Sequence, residues 1–306
     1  MLKQPSSKPT ADIYFVHGLT GNRVSAWTWT GHGLKTFWPE ELLPQKVPDT
    51  RISTWGYDAD FATFWRMPGQ NRIANHARNL ITDLANFRDE TDTNDVPIIF
   101  VVHSLGGLVL KRALIASANT LEDHKKKILE STFAIAFLGT PHHGAVKAQW
   151  VALANSLIAL FKNVNKNIVT ALTPNSEVLA EIESDYSTLI RKRSQEQKEE
   201  IKLVCFYEEV EVRGIGFIVP MHSAIVGGYE SVGIPRDHMG MTRFKDVQDY
   251  GYRKVSTEIW RWTQKIESSK IDTWISHELQ LNLDNRYVDP PSNMDIFQLR
   301  PSFCLI

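Results

Sequence analysis

The sequence predicts an α/β fold in which a mostly parallel sheet carries helices on both faces. Apolar, β-branched runs alternate with segments of helical periodicity along most of the chain, and this alternation is typical of parallel sheets. The residues suited to catalysis each follow one of these runs, at the carboxyl ends of strands where active sites of such sheets lie. The predicted strands cover residues 12–16, 51–56, 98–102, 133–138, 201–207 and 215–219.

Length and composition set broad limits on the class of protein. The 306 residues are enough for one large domain or two small ones with a sizeable core. The net charge of −1 gives no reason to expect a strongly charged partner, and we predict no nucleic-acid binding. The two cysteines, Cys205 and Cys304, do not support a disulfide framework and favour a reducing compartment.

We do not expect the N-terminal segment to be a secretory signal. Residues 1–10 are polar, contain two prolines and lack the apolar core of a secretory signal, so we expect a flexible N-terminus. No apolar run approaches the ~18 residues that a membrane span needs. The expected location is the cytoplasm, with no transmembrane segment and at most transient contact with a membrane surface.

Ser104 is the strongest candidate for a nucleophile. The apolar run ending at Val102 is followed by His103-Ser104-Leu105-Gly106-Gly107 and then by a helix-like stretch over 108–118. Strand, sharp turn and helix form the nucleophile elbow of the Gly-x-Ser-x-Gly pattern. Val102 replaces the first glycine, which predicts a slightly wider elbow or a small residue opposite it. The alternative is a serine in an ordinary strand-to-helix turn.

Two backbone N–H groups are candidates for an oxyanion hole. That of Leu105 lies at the start of the helix after Ser104, where N–H groups favour a developing negative charge. The other belongs to Leu19, because Gly18 lets the chain after strand 12–16 turn toward the site. The alternative for this segment is a plain exit from the strand, with His17 as a structural residue.

A serine nucleophile needs a general base, and the base needs an acid that orients it. In α/β-hydrolases the chain order is Ser, acid, His. Of the late histidines, His222 lies close to the last predicted strand and His277 lies in the tail, whereas His238 lies in the loop before the final helix. We therefore predict His238 as the base.

The acid is expected directly after the penultimate strand. Glu208 is the first carboxylate after residues 201–207, and Glu209 is the alternate choice. The competing interpretation is a solvated acidic loop. The loop after strand 133–138 offers no carboxylate that would compete.

Two further segments could have a functional role. His142 and His143 are adjacent but lack a companion cluster of Cys, Asp or Glu, so we predict no metal site and place the Gly139-Thr140-Pro141 turn at the pocket rim. The apolar stretch 150–161 is predicted either as a lid helix over an acyl pocket or as a buried helix, with a slight preference for the lid.

Several short motifs together resemble a known family. They are Asp12-Ile13-Tyr14-Phe15-Val16-His17-Gly18-Leu19, Gly56-Tyr57-Asp58-Ala59, His103-Ser104-Leu105-Gly106-Gly107, Phe137-Leu138-Gly139-Thr140-Pro141-His142, Phe206-Tyr207-Glu208 and Asp237-His238. The pattern is similar to the serine esterases related to the SERAC and PGAP lipase-like proteins, which in fungi occur alone or at the N-terminus of NOD-like receptor proteins. The resemblance covers about residues 11–265 and implies an α/β-hydrolase fold with nucleophile Ser104, base His238 and acid Glu208.

The expected domain organisation follows. An α/β-hydrolase domain covers residues 11–267, with a helical cap insertion at about 145–194, and a C-terminal tail, loosely attached or packed on the core, covers 268–306. Helices are predicted over 71–87 and 244–266, with a short one near 271–281. The Trp-rich stretch 24–48 is predicted as a loop with one short helix near 39–43, and its tryptophans as core residues.

The sequence therefore predicts a serine hydrolase that cleaves a carboxylic ester, with a lipid acyl ester as a plausible substrate. No cofactor and no metal are required, the predicted partner is a small-molecule or lipid ester, and the oligomeric state is left open. Two alternatives are a signalling or interaction module that kept the fold without turnover, and an acyltransferase that uses the same three residues.

Overall fold

The computed structural model describes residues 1–18, 22–57, 69–142, 156, 159, 176–196 and 200–287. The predicted oxyanion residue Leu19 and most of the predicted cap insertion lie outside this set, as does nearly all of the stretch 150–161 that was predicted as a lid. The chain divides into two compact units, Met1–Thr263 and Gln264–Ile306.

A six-stranded parallel sheet forms the centre of the first unit, in the order β4-β1-β5-β6-β7-β8. A two-stranded antiparallel hairpin, β2–β3, stands apart from it. The strands are β1 Asp12–Val16, β2 Thr28–Gly31, β3 Leu34–Phe37, β4 Arg51–Trp55, β5 Ile98–His103, β6 Thr132–Leu138, β7 Lys202–Glu208 and β8 Glu230–Ile234.

Helices connect the strands of the large sheet, which confirms the predicted α/β class. Among the described residues, no helix combines the length and apolar composition needed to cross a bilayer. The α-helices are α1 Trp38–Glu41, α2 Leu43–Lys46, α3 Gly69–Glu90, α4 Leu105–Asn119, α5 Asp123–Glu130, α6 Ser176–Gln195, α7 Met221–Ala224 and α8 Tyr250–Tyr287.

Both faces of the sheet are buried, as strand β1 illustrates. Tyr14 and Val16 pack into the apolar core that includes α3 and α4. Phe15, which alternates with them, faces the other side and meets the rings of Trp27 and Trp38 edge-on, at centroid distances of 5.0 and 5.1 Å. Trp27 and Trp38 are fully buried, which confirms the prediction that they are core residues, whereas Trp29 is partly exposed, so the prediction is wrong for Trp29.

The prediction of a last strand over 215–219 is wrong. Gly214 and Gly216 have φ angles of 78° and 94°, a left-handed conformation that glycine adopts readily and that bends the chain. Val212 and Gly216 form only an isolated bridge there. The last strand is β8, which lacks a continuous apolar pattern because it begins with Glu230 and contains Gly233.

The final helix also differs from its predicted bounds. It begins at Tyr250 rather than at residue 244, because the Asp249 side chain accepts a hydrogen bond from the Gly251 N–H at 2.9 Å and caps the helix. The helix continues to Tyr287, so the segment predicted as a separate short helix over 271–281 belongs to it. By contrast, the helix predicted over 71–87 is found as α3.

The Trp-rich stretch contains more regular structure than predicted. Instead of one short helix it forms the β2–β3 hairpin and two one-turn helices, α1 and α2. Positive φ angles at His32 and Gly33, of 51° and 77°, make the hairpin turn. The Trp38 indole N–H donates to the Thr242 carbonyl at 2.8 Å, which ties this segment to the loop before α8.

A buried ion network joins β1, β4 and α3. Asp12 and Arg51 are register partners at the starts of their strands, and Arg51 forms two hydrogen bonds of 2.7 Å with the Asp12 carboxylate. Arg88 of α3 also pairs with Asp12 and donates to the Val96 carbonyl at 2.7 Å. These three charged side chains are almost completely buried, so each depends on the others for compensation.

Replacing Arg88 with Met removes one of the two cations and leaves the buried Asp12 carboxylate with less compensation. We expect Arg88→Met to lower the free energy of unfolding by about 3 kcal/mol, measured from the urea midpoint. Lys126→Met is the control, because the pair that Lys126 forms with Asp123 is exposed and its loss should leave the midpoint unchanged. Equal midpoints for the two variants would contradict a structural role of the network.

Candidate active site

Ser104 occupies a strained turn between β5 and α4. Its φ and ψ angles are 52° and −127°, a conformation that costs a residue with a side chain on the order of 1–3 kcal/mol. Three hydrogen bonds hold the turn: the Ser104 N–H donates to Leu138 O at 2.9 Å, and Ser104 O accepts from the Gly107 N–H at 3.1 Å and from the Thr140 hydroxyl at 3.2 Å. The turn is therefore held by β6 and the loop after it, and by the start of α4.

Glycines allow the elbow to pack closely against the end of β1. A Cβ atom on Gly106 would overlap with the His17 carbonyl oxygen, and one on Gly18 would lie 2.9 Å from the Ser104 Cβ. Gly18 is thus the small residue opposite the turn that the presence of Val102 calls for. Val102 itself is fully buried in the core beneath the turn.

His238 lies against the Ser104 hydroxyl. Its Nε2 atom is 3.0 Å from Ser104 Oγ, and its side chain is buried. Gly139, with a φ of 54°, passes so close that an added Cβ would lie 3.0 Å from the His238 ring. This packing leaves His238 little freedom to turn away from the serine.

The His103 side chain holds the backbone of His238 in place. Its Nε2 atom donates to the His238 carbonyl at 2.9 Å, and the two rings lie 4.8 Å apart. Burial, reinforced by the nearby His238, holds the pKa of His103 well below its usual range. The His103 ring is therefore neutral.

The side chain of Glu208 lies next to that of His238. One of its oxygens, Oε1, lies 3.6 Å from His238 Nδ1 and accepts a 2.6 Å hydrogen bond from the Val219 N–H. Within the described residues, His238 Nδ1 and Glu208 Oε2 have no hydrogen-bond partner. Ser104, His238 and Glu208 are thus brought together, although the 3.6 Å separation between Glu208 Oε1 and His238 Nδ1 is longer than a hydrogen bond.

The alternate candidates lie elsewhere. Glu209 is exposed, and its carboxylate reaches over Gly233 of β8. His222 is exposed on α7, and the side chain of His277 lies outside the described residues. The geometry therefore places Glu208, and not Glu209, beside His238.

Hydrogen bonds and ring stacking hold the segment before the predicted oxyanion residue Leu19. The His17 ring donates from Nδ1 to Gly18 O at 2.8 Å and stacks on Tyr57 at 4.6 Å. The Tyr57 hydroxyl donates to His17 O at 3.0 Å. Burial lowers the pKa of His17, which keeps the ring neutral. The other oxyanion candidate, Leu105, is the first residue of α4, where N–H groups have no acceptor within the helix.

His142, which follows the Gly139-Thr140-Pro141 turn, lies inside the structure. Its Nδ1 atom accepts from Lys111 Nζ at 2.7 Å. Lys111 also pairs with Glu183 of α6. In the part of the chain that the structure describes, no three His, Cys, Asp or Glu side chains are grouped so as to hold a metal ion.

Sequence reasoning missed the supporting residues His103, Thr140 and Tyr57. Each lies inside one of the short motifs that carry the family resemblance. The available signal was their position directly at a strand end, where a polar side chain is more often functional than elsewhere.

The parallel sheet and the strand–serine–helix turn define the class of protein, which is an α/β-hydrolase. A search against family models matches residues 7–221 to the family described as "Putative serine esterase (DUF676)". The match covers more than half of the chain, so the chain belongs to this family, and the resemblance noted from the sequence is confirmed.

Curated relatives include SERAC1 proteins. The zebrafish (Danio rerio) SERAC1 is 25% identical over 268 residues, and the human (Homo sapiens) protein is 23% identical over 261. Each alignment covers 80% of this chain and 38% of the relative. The chain thus spans less than two fifths of the length of the SERAC1 proteins it matches.

Solved structures with detectable similarity include a lipase and a thioesterase. Bacillus licheniformis lipase BlEst2 in its mature form has a TM-score of 0.46 at 17% identity, covering 79% of this chain and 90% of the lipase. Human thioesterase 2 has a TM-score of 0.41 at 12% identity, covering 84% of this chain and 97% of that one.

The strain at the elbow can be measured with two variants that both lack the hydroxyl. Ser104→Gly accepts a φ of 52° without steric cost, whereas Ser104→Ala keeps the Cβ atom in the strained turn. We expect the glycine variant to exceed the alanine variant in free energy of unfolding by about 1 kcal/mol, measured by urea unfolding. A more stable alanine variant would mean that the turn is relaxed.

Proposed function

We propose that this chain is a serine hydrolase that cleaves carboxylic esters through an acyl-enzyme intermediate. Ser104 is the nucleophile, His238 the general base, and Glu208 the acid that orients His238. The N–H groups of Leu19 and Leu105 stabilise the oxyanion. The observation that carries the proposal is the 3.0 Å separation between His238 Nε2 and the hydroxyl of a serine in a strained elbow.

Acylation begins when Ser104 Oγ attacks the ester carbonyl carbon and His238 Nε2 takes the hydroxyl proton. The carbonyl oxygen becomes an oxyanion next to the start of α4, where helix N–H groups lower its energy. Collapse of the tetrahedral intermediate breaks the bond to the alcohol, which leaves with the proton from His238. A covalent acyl-Ser104 remains.

Deacylation repeats these steps with water as the nucleophile. His238 accepts a proton from the water, the oxygen adds to the acyl carbon, and the carboxylic acid leaves as Ser104 regains its proton. Glu208 is buried and lies near the Nδ1 side of the ring, so its negative charge stabilises the imidazolium that exists between proton transfers.

The reaction needs no cofactor, since every proton transfer is assigned to a side chain of this chain or to water. The substrate class is a carboxylic ester, and family membership supports this choice. We further propose that the acyl group is lipid-like, because the stretch 150–161, between β6 and α6 in sequence, is largely apolar.

Labelling with a fluorophosphonate tests the nucleophile and the base together. Wild type should gain one adduct by intact mass, Ser104→Ala none, and His238→Ala should react roughly 10⁴-fold more slowly or not at all, since it lacks the base. An adduct that persists on Ser104→Ala would overturn the assignment.

Two variants at adjacent residues test the assignment of the acid, and the second of them is the control. Glu208→Gln should slow labelling by more than about ten-fold, because the amide cannot stabilise an imidazolium as a carboxylate does. Glu209→Gln should label at the wild-type rate, since Glu209 is exposed and lies over Gly233. The reverse order would make Glu209 the acid. Absence of labelling in folded wild type would favour a module without turnover.

A further inference from the structure

Lys111 is a buried cation on the helix that begins at the candidate nucleophile. It lies on α4, about two helical turns after Ser104, and its side chain is fully buried. A buried charge costs free energy unless other groups compensate it. Glu183 of α6 forms an ion pair with Lys111 Nζ, and His142 Nδ1 accepts a hydrogen bond from it at 2.7 Å. Lys111 therefore joins α4 to α6 and to the loop that follows β6.

Two aromatic rings also surround the ammonium group. Lys111 Nζ lies 5.5 Å from the centre of the Phe137 ring on β6 and 5.1 Å from that of the Tyr186 ring on α6. At such distances the face of an aromatic ring attracts a cation. The position of the ammonium group is thus determined by β6 and α6 as well as by His142.

The hydrogen bond from Lys111 determines the orientation of His142. Because Nδ1 accepts this bond, a neutral His142 carries its proton on Nε2, which lies 3.7 Å from Cys205 Sγ on β7. The His142 ring meets Phe137 edge-on at 4.7 Å, and the backbone N–H of His142 donates to Ser223 O at 2.6 Å. His142 is therefore a fixed point of the loop after β6.

This loop, residues 139–142, contacts both the proposed nucleophile and the proposed base. Gly139 packs against the ring of His238. The hydroxyl of Thr140 donates to Ser104 O at 3.2 Å. A displacement of the loop would therefore move groups that hold the proposed nucleophile and base.

The loop lies along one face of α4. An added Cβ on Gly107 would overlap with the Thr140 side chain, and one turn further along the helix Lys111 meets His142. Four residues of a helix rise by roughly 6 Å, and two residues of extended chain span at most roughly 7 Å. The spacing of Thr140 and His142 thus matches one turn of α4, and Lys111 holds the outer end of the loop.

We propose that Lys111 is a positioning residue of the proposed hydrolase and that it acts through His142. By holding His142 against α4, it keeps the loop 139–142 aligned with the helix. The loop in turn maintains the 3.0 Å separation between His238 Nε2 and Ser104 Oγ. This role rests on the proposed function, and Lys111 itself takes no part in proton transfer.

The rate of fluorophosphonate labelling, followed by intact mass, tests this role on the full chain. Lys111→Met keeps the length of the side chain, and the Glu183 carboxylate that it leaves behind is partly exposed to water. We expect Lys111→Met to label at least about ten-fold more slowly than wild type, because small displacements of catalytic groups are costly. Each chain should still end with one adduct, whereas misfolded chains would remain unlabelled.

Hydrolysis of p-nitrophenyl butyrate gives a second readout of the same variant. With rates expressed per labelled chain, Lys111→Met should lower kcat by a factor similar to that for labelling. KM should stay within about two-fold of wild type, because the lost interaction aligns the nucleophile and base and does not bind the substrate.

Variants of His142 separate positioning from a general loss of stability. His142→Leu removes the acceptor and should slow labelling as much as Lys111→Met, with no further loss when the two are combined, because both variants remove the same interaction. His142→Asn offers an amide oxygen in place of Nδ1 and should label within about three-fold of wild type.

Glu183→Gln is the matched control. It weakens the ion pair of Lys111 but leaves the hydrogen bond between Lys111 and His142, so it should label within about two-fold of wild type even if it lowers the urea midpoint. A loss as large as that of Lys111→Met would mean that the ion pair, and not His142, carries the effect.

The remaining outcomes distinguish this role from the proposed function. Wild-type labelling of Lys111→Met, additive losses in the double variant, or equal losses in His142→Asn and His142→Leu would refute the role of Lys111 and leave the proposed hydrolase intact. A folded wild-type chain that does not label would refute the proposed function, and the positioning role with it.

Discussion

The left-handed turn at Ser104 is the constraint on which the site depends. A serine in this conformation is unfavourable by itself, so the surrounding structure must hold it. Hydrogen bonds to Leu138 and from Thr140 come from β6 and the loop after it, and that from Gly107 comes from α4. The strained serine therefore requires β6, the loop after β6 and α4 to be packed together at the carboxyl ends of the strands.

The same packing determines what surrounds the serine. Because Gly106 lies directly on the His17 carbonyl, α4 starts close to the end of β1, and the segment that leads to Leu19 passes next to Ser104. Because Gly139 has no side chain, the His238 ring can approach from the opposite side. His103 then fixes the His238 backbone. The proposed nucleophile and base thus meet as a consequence of close backbone packing.

The sequence was sufficient to predict the five strands from β1 to β7 that belong to the large sheet, together with helix α3. Their apolar periodicity is strong, because both faces of the sheet are covered. The position of Ser104, Glu208 and His238 at one edge followed from topology, since parallel strands place their carboxyl ends together. Their mutual distances could not be predicted, because they depend on loops of long sequence separation.

The misassigned segments share a physical cause. Strand β8 contains glutamate and glycine, whereas the apolar residues 215–219 follow glycine turns, so local pattern and structure disagree at that point. Tyr186, Lys111 and Glu183 were not singled out, since a buried lysine or an unpaired hydroxyl is recognised only from tertiary contacts.

The proposed mechanism requires Ser104 to carry the acyl group of an ester during turnover. Mixing the protein with p-nitrophenyl butyrate, quenching with acid within milliseconds and mapping the peptides by mass tests this directly. We expect a butyryl adduct on the peptide that contains Ser104, formed and lost at rates consistent with ester cleavage. Ester cleavage with no acylated Ser104, or with the acyl group on another residue, would contradict it.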